Sequence, residues 1–196
     1  MDYRALAAAI AAFWLATTDS ALACACCSNR ASRYVETETL GDVRRNTIEQ
    51  MSFAGDAFVA ESAADHPDAI QELGTTLQLQ VTQTREAIVF SFRGQRDRET
   101  VLTLALPDTI SIFEVDPRGD TRDDGLGPVL YKEWQLTAAT SATGVLQPVI
   151  EDGDRKVTLI LHGRGRGCTD AAEFTDWTLL VRGAPDRVVF YGALTR

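Results

Sequence analysis

The sequence predicts an all-β protein, an antiparallel β-sandwich preceded by a short, partly irregular or helical N-terminal arm. Three observations carry this reading. Apolar and polar residues alternate in short runs, Gly, Pro and Asp punctuate those runs, and no long segment past the N-terminus repeats apolar residues at the helical period. With 196 residues, 45% of them apolar and 24% charged, the chain can bury one ordinary core without disulfide staples. That composition excludes a disordered tail and a collagen-like fibre.

The chain begins with Arg4, an apolar run from Ala5 to Ala16, and a polar stretch ending Ala21-Leu22-Ala23. This is the three-part form of a secretory signal peptide over residues 1–23. The run, about a dozen residues, is shorter than the roughly 20 that a membrane-crossing helix needs. Cys24 follows directly, in the position of a lipoprotein acceptor cysteine, and is the lipidation candidate. Ala21 and Leu22 stand in the reverse of the usual lipoprotein order, so ordinary cleavage after Ala23 suits the residues better. Either route makes Cys24 the first residue of the mature chain. A bias of 17 Arg against 2 Lys, with abundant Ala, suits a GC-rich bacterial source. The expected destination is the periplasm, or a lipid anchor on the cell envelope.

Residues 24–73 read as a cysteine cluster and N-terminal arm, in which Glu36 to Met51 has helical character and Met51 to Ala60 carries apolar residues at mixed spacing. The polar stretch from Ser62 to Asp68, containing His66 and Pro67, is expected as a loop. Residues 74–196 form the β-sandwich body, one folded domain with the arm. Thr76 to Val81 alternates strictly, and Ala87 to Phe92 puts Ile88, Phe90 and Phe92 on one face, so the two make a hairpin. Further strands are expected at Val101–Leu106, Thr109–Val115, Val129–Ala139, Lys156–His162, Thr175–Arg182 and Arg187–Ala193, several stopped by Pro or Asp-Gly turns.

The chemical feature that stands out is Cys24-Ala25-Cys26-Cys27, with Cys168 the only other cysteine. In an oxidising compartment four cysteines ordinarily mean two disulfides. Here Cys168 can bridge only one of the three, and the remaining two are adjacent or one alanine apart, a spacing that strains a disulfide. Crowded thiolates are soft donors that suit Cu(I), while Zn(II) would take Cys24, Cys26, Cys27 and Cys168, with His162 as a substitute ligand. His162 ends a strand on the face opposite Val157, Leu159 and Leu161. A structural disulfide or lipidation is the plainer use of the same cysteines.

Other patterns carry less. Gly163-Arg164-Gly165-Arg166-Gly167 superficially resembles a dinucleotide loop, but Cys168 stands where the fingerprint needs Gly or Ala and no βαβ unit surrounds it, so a flexible polar loop is expected. Glu114, Asp116, Asp120, Asp123 and Asp124 read as a solvated turn rather than a calcium loop. No GxSxG, HExxH or Walker motif occurs, and no catalytic residue is assigned. The net charge of −9 disfavours nucleic acid, and membrane contact is expected only through a lipid on Cys24.

Two functions follow. One is an exported protein whose thiol cluster binds a soft metal such as Cu(I), or handles redox chemistry, with a metal donor or acceptor protein as partner. The alternative is an envelope structural or binding module, anchored through Cys24, with one disulfide and no metal.

Overall fold

The computed structural model describes residues 33–60, 76–94, 99–115, 130–152, 156–165, 169–182 and 187–195. Residues 1–23, all four cysteines, His66 with its loop, and Asp116, Asp120, Asp123 and Asp124 lie outside the described residues, so the expected signal peptide, cysteine cluster and acidic turn fall there.

In chain order the elements are β1 (Arg33–Thr39), α1 (Asp42–Gln50), β2 (Ser52–Phe53), β3 (Asp56–Ala60), β4 (Thr76–Gln83), β5 (Ala87–Arg93), β6 (Glu99–Ala105), β7 (Thr109–Val115), β8 (Leu130–Ala142), α2 (Gln147–Asp152), β9 (Lys156–Gly165), β10 (Phe174–Arg182) and β11 (Arg187–Thr195). Single 3-10 turns at Gly144–Leu146 and Ala171–Glu173 precede α2 and β10. The all-β expectation holds, and all eight expected strands occur within a few residues of their expected bounds.

The expected sandwich is replaced by a closed eight-strand barrel. Antiparallel pairing runs β8-β6-β5-β4-β3-β11-β10-β9 and returns from β9 to β8. Alternation specifies one buried face per strand, but it is silent on whether that face meets a second sheet or the opposite wall of its own. Closure depends on β3, which pairs Val59 with Phe190 on β11 and Ala57 with Leu77 on β4. The barrel thus takes a strand from the segment read as N-terminal arm. Within that arm the helical stretch is also shorter than expected. Glu36 to Thr39 belongs to β1, and the helix starts after Gly41, whose extended backbone serves as its N-cap, with Asp42 in the first turn.

β6 and β7 are one chain pass broken at Leu106-Pro107-Asp108. The register against β8 runs Leu102 to Ala142 and Leu104 to Thr140, then Ser111 to Gln135 and Val115 to Tyr131, a shift of two residues across the break. Pro107 cannot donate to a ladder, so the break falls there. On the opposite edge β5 pairs with β6, and β1 takes over along β7, with the Leu40 amide donating to the Asp108 carbonyl at 2.8 Å. β7, β8 and β9 therefore extend past the barrel as a lip edged by β1.

Side chains fill the interior. Phe90, Phe92, Leu102, Trp134, Leu159, Trp177 and Phe190 are fully buried, and Phe92 stacks on Phe190 with ring centroids 4.7 Å apart. Burial of each such side chain contributes about 1.5–3 kcal/mol relative to exposure. Both ends are covered. α1 buries Ile48 over one end, held by Arg45, whose guanidinium donates to the carbonyls of Leu40, Arg85 and Pro107 at 3.0, 2.9 and 3.2 Å. Leu146, Val149 and Ile150 bury at the other end. Among the described residues no helix is long and apolar enough to cross a membrane.

Candidate functional site

Because the interior is occupied by side chains, chemistry on this barrel belongs to its outer face and rims. On the outer face of the lip, Phe113 on β7, Glu133 on β8, His162 on β9 and Asp176 on β10 stand opposite one another in register. His162 occupies the face opposite Val157, Leu159 and Leu161, as its place in the strand requires, and those three are fully buried.

His162 is enclosed by a hydrogen-bonded network. The Tyr131 hydroxyl donates to Glu133 Oε1 at 2.6 Å and lies 3.1 Å from His162 Nδ1, while His162 Nε2 lies 3.0 Å from Thr178 Oγ1. The phenol has one hydrogen and spends it on Glu133. In the neutral ring, Nδ1–H therefore donates to Tyr131 Oη and Nε2 accepts from Thr178. Gln135 Nε2 donates to Glu133 Oε2 at 3.1 Å, and His162 Nδ1 lies 3.6 Å from Glu133 Oε1. Burial, then the hydrogen bond and charge of Glu133, push the Tyr131 phenol up to about 12, with Arg164 opposing and Asp176 adding. Beside the network, Ser111, Ile112, Phe113, Glu133 and Gln135 line a groove of about 200 Å³.

A second polar group lies under α1, at the same end of the barrel. Lys132 is 1% exposed, and its Nζ donates to Glu173 Oε2 at 2.7 Å while facing the Phe174 ring at 4.8 Å. Glu114 is buried on the inward side of β7, opposite Lys132 in register. Burial raises its pKa above 4.5, opposed by the charges of Lys132 and Arg44 and reinforced by Glu38. The expectation of Glu114 in a solvated turn is thereby corrected: it sits at an inward position of a strand, next to a buried cation.

The glycine motif is also corrected, because Gly163 and Gly165 belong to β9 rather than to a flexible loop. A Cβ on Gly165 would occupy the place of the Glu173 carboxylate, and one on Gly163 would meet the Glu173 carbonyl and Phe174 Cα. The glycines make room for Glu173 to reach Lys132. Sequence reading missed Tyr131, Glu133, Lys132 and Glu173. The one available signal was the polar Lys132-Glu133 pair interrupting an otherwise strand-like run.

Among the described residues no group of three or more His, Cys, Asp and Glu side chains is arranged to hold a metal ion. Cys24, Cys26, Cys27 and Cys168 lie outside the described residues. His162 is described, and both its ring nitrogens have partners, so ligation by it replaces its hydrogen bond to Tyr131 or to Thr178. Comparisons of the chain with protein-family models, with curated proteins and with solved structures gave no match. Fold and site define a solid eight-strand antiparallel barrel, capped at both ends, with a histidine-centred polar network on its outer lip.

Proposed function

We propose that the chain is an exported periplasmic or lipid-tethered barrel protein whose Cys24, Cys26, Cys27 and Cys168 thiolates bind a soft metal, Cu(I) in the first instance and Zn(II) in the second, for exchange with a partner protein. One observation supports it above the rest. Arg33 at the start of β1 stands opposite Val115, Val115 opposite Tyr131, and Tyr131 opposite Arg164 near the end of β9. The chain leading back to Cys27 and the chain leading on to Cys168 therefore depart from the same end of the lip, three strands apart, or about 14 Å. Six residues from Arg33 to Cys27 span up to about 20 Å, and four from Arg164 to Cys168 up to about 14 Å. One ion can be shared within that reach. Thiolate number then selects the metal: two or three sulfurs suit Cu(I), four suit Zn(II).

The alternative, an envelope-binding module anchored through Cys24, draws support from Phe58 and Tyr191. These are 39% and 43% exposed and stack 5.5 Å apart on the outer face of β3 and β11. Secreted full chain purified anaerobically separates the two readings through intact mass, free-thiol count, metal content and Cu(I) competition against a chromogenic chelator. One tightly held ion per chain, released when Cys26 and Cys27 are both replaced by serine, is expected. Two disulfides, or a lipidated Cys24, with no stoichiometric copper or zinc would overturn the metal reading.

A further inference from the structure

We infer a second metal site, independent of the thiols: Tyr131, Glu133 and His162 bind one divalent first-row ion, zinc or copper(II), on the outer face of β8 and β9. The three donor atoms converge. Tyr131 Oη, Glu133 Oε1 and His162 Nδ1 form a triangle with sides of 2.6, 3.1 and 3.6 Å. An ion at bonds of about 2.1 Å to all three stands about 1 Å above their plane, which is one face of a coordination polyhedron. The remaining side of the ion is then left to water or to a further ligand. Oxygen and imidazole donors favour zinc or copper(II) over Cu(I), the ion that the thiols are proposed to take in the first instance.

The supporting contacts are those that metal ligands need. A ligating histidine donates its other ring N–H to a neighbour, and a ligating carboxylate has its free oxygen held. Here the neighbour is Thr178 Oγ1 at 3.0 Å, and Gln135 Nε2 holds Glu133 Oε2 at 3.1 Å. Freeing Nδ1 for the ion moves the ring proton to Nε2, and the Thr178 hydroxyl turns from donor to acceptor. Tyr131 binds as phenolate and gives its proton to solvent, so each ion bound releases one proton. Partial burial of the phenol and its hydrogen bond to Glu133 oppose this step, and the charge of the ion drives it. Of the other charged groups around Tyr131, Asp176 adds negative charge and Arg164 opposes the ion. With 23% and 20% of their side chains exposed, His162 and Glu133 are reachable from solvent.

The test uses full chain with its thiols reduced and alkylated, which silences the cysteine site and keeps the two proposals separate. Calorimetric titration with Zn(II) or Cu(II) is expected to give one ion per chain with release of one proton, and the copper form a tyrosinate charge-transfer band with one coupled nitrogen in its magnetic-resonance spectrum. His162→Gln and Glu133→Gln should each weaken binding more than tenfold. Tyr131→Phe should abolish both proton release and the band, and Thr178→Val should weaken binding about 10- to 100-fold through loss of the contact to the ring. Absence of binding by alkylated chain overturns the proposal, as does equal affinity in His162→Gln. The charge-transfer band of unsubstituted chain decides the matter even where a variant fails to fold.

Discussion

Gly165→Ala places a methyl group inside the volume of the Glu173 carboxylate, which must then swing off Lys132. Only the end of a flexible side chain is displaced, so the cost is the lost ion pair rather than a backbone clash. Lys132 is 1% exposed and Glu173 21%, with 2.7 Å between Nζ and Oε2. A hydrogen bond between charged groups in such a setting contributes about 1.5–3 kcal/mol. Stiffening of the unfolded chain by alanine returns about 0.4–1 kcal/mol. A net loss of about 1–2 kcal/mol is expected, read as a lower urea midpoint in the fluorescence of buried Trp134 and Trp177. Glu173→Ala alone removes the same pair. Once Glu173 is gone, alanine at 165 should therefore stabilise by about 0.4–1 kcal/mol through stiffening, and a double-mutant cycle should show coupling of about 1.5–3 kcal/mol, the full ion pair. Costs that add to within about 0.5 kcal/mol would refute the account of the glycine as room for Glu173.

Three further outcomes follow from the same packing. Arg45→Ala removes three donations to carbonyls that fasten α1 to the barrel end, and should cost about 2–4 kcal/mol in denaturant unfolding. Arg45→Lys should recover little, since an ammonium cannot present the fork. Gly192→Ala brings a methyl group to 2.9 Å from the Trp177 ring and 3.0 Å from the Asp56 carbonyl, and should destabilise by about 1–3 kcal/mol, measured as a drop in thermal midpoint. Glu114→Gln tests the buried carboxyl. Its raised pKa means that the folded protein holds the proton to higher pH than the unfolded chain does, so the stability it contributes is complete below 4.5 and is lost as pH climbs through the folded value. The amide cannot ionise. The variant should therefore gain on the parent as pH rises from 4.5 toward neutrality, and a flat or falling difference in urea midpoints contradicts the assignment.

Strands were legible wherever a run alternates, as Leu77, Leu79 and Val81 do, because one buried face leaves a period of two in the residues themselves. Closure was not. Whether Phe92 meets a facing sheet or Phe190 across a barrel depends on β3, whose five residues, Asp56 to Ala60, are too few to show a period. β1 escaped detection for a related reason: at its Glu36-Thr37-Glu38-Thr39 end it buries no apolar side chain and is held by pairing with β7. The Tyr131 network was illegible because its members come from three strands and meet only through register. His162 alone was noticed, and without Glu133 opposite it a single histidine says little about its partners. The glycines at 163 and 165 were visible but misread, since a glycine that makes room for a distant carboxylate looks in sequence like one that makes a loop.

The break at Pro107 connects fold to proposed chemistry. β5 begins at Ala87, just past its hairpin turn from β4, and its last pair with β6 is Ala87 with Ala105, so the edge of β7 beyond Pro107 is left to β1, which seven residue pairs fix from Arg33 to Thr39. The chain that bears Cys24, Cys26 and Cys27 is thus rooted in the sheet at Arg33, in register with Tyr131 and Arg164, rather than trailing from a remote corner of the barrel. Edge strands invite pairing with other chains, and polar residues blunt that hazard. On β1 the exposed Thr37 and Thr39 and the Glu38 pair with Arg44, at 2.7 Å, serve this purpose. A thiol arm that exchanges metal with a partner needs a fixed origin together with an edge that does not capture the partner as an added strand. For the proposed thiol site β1 offers both, beside the register shift at Pro107.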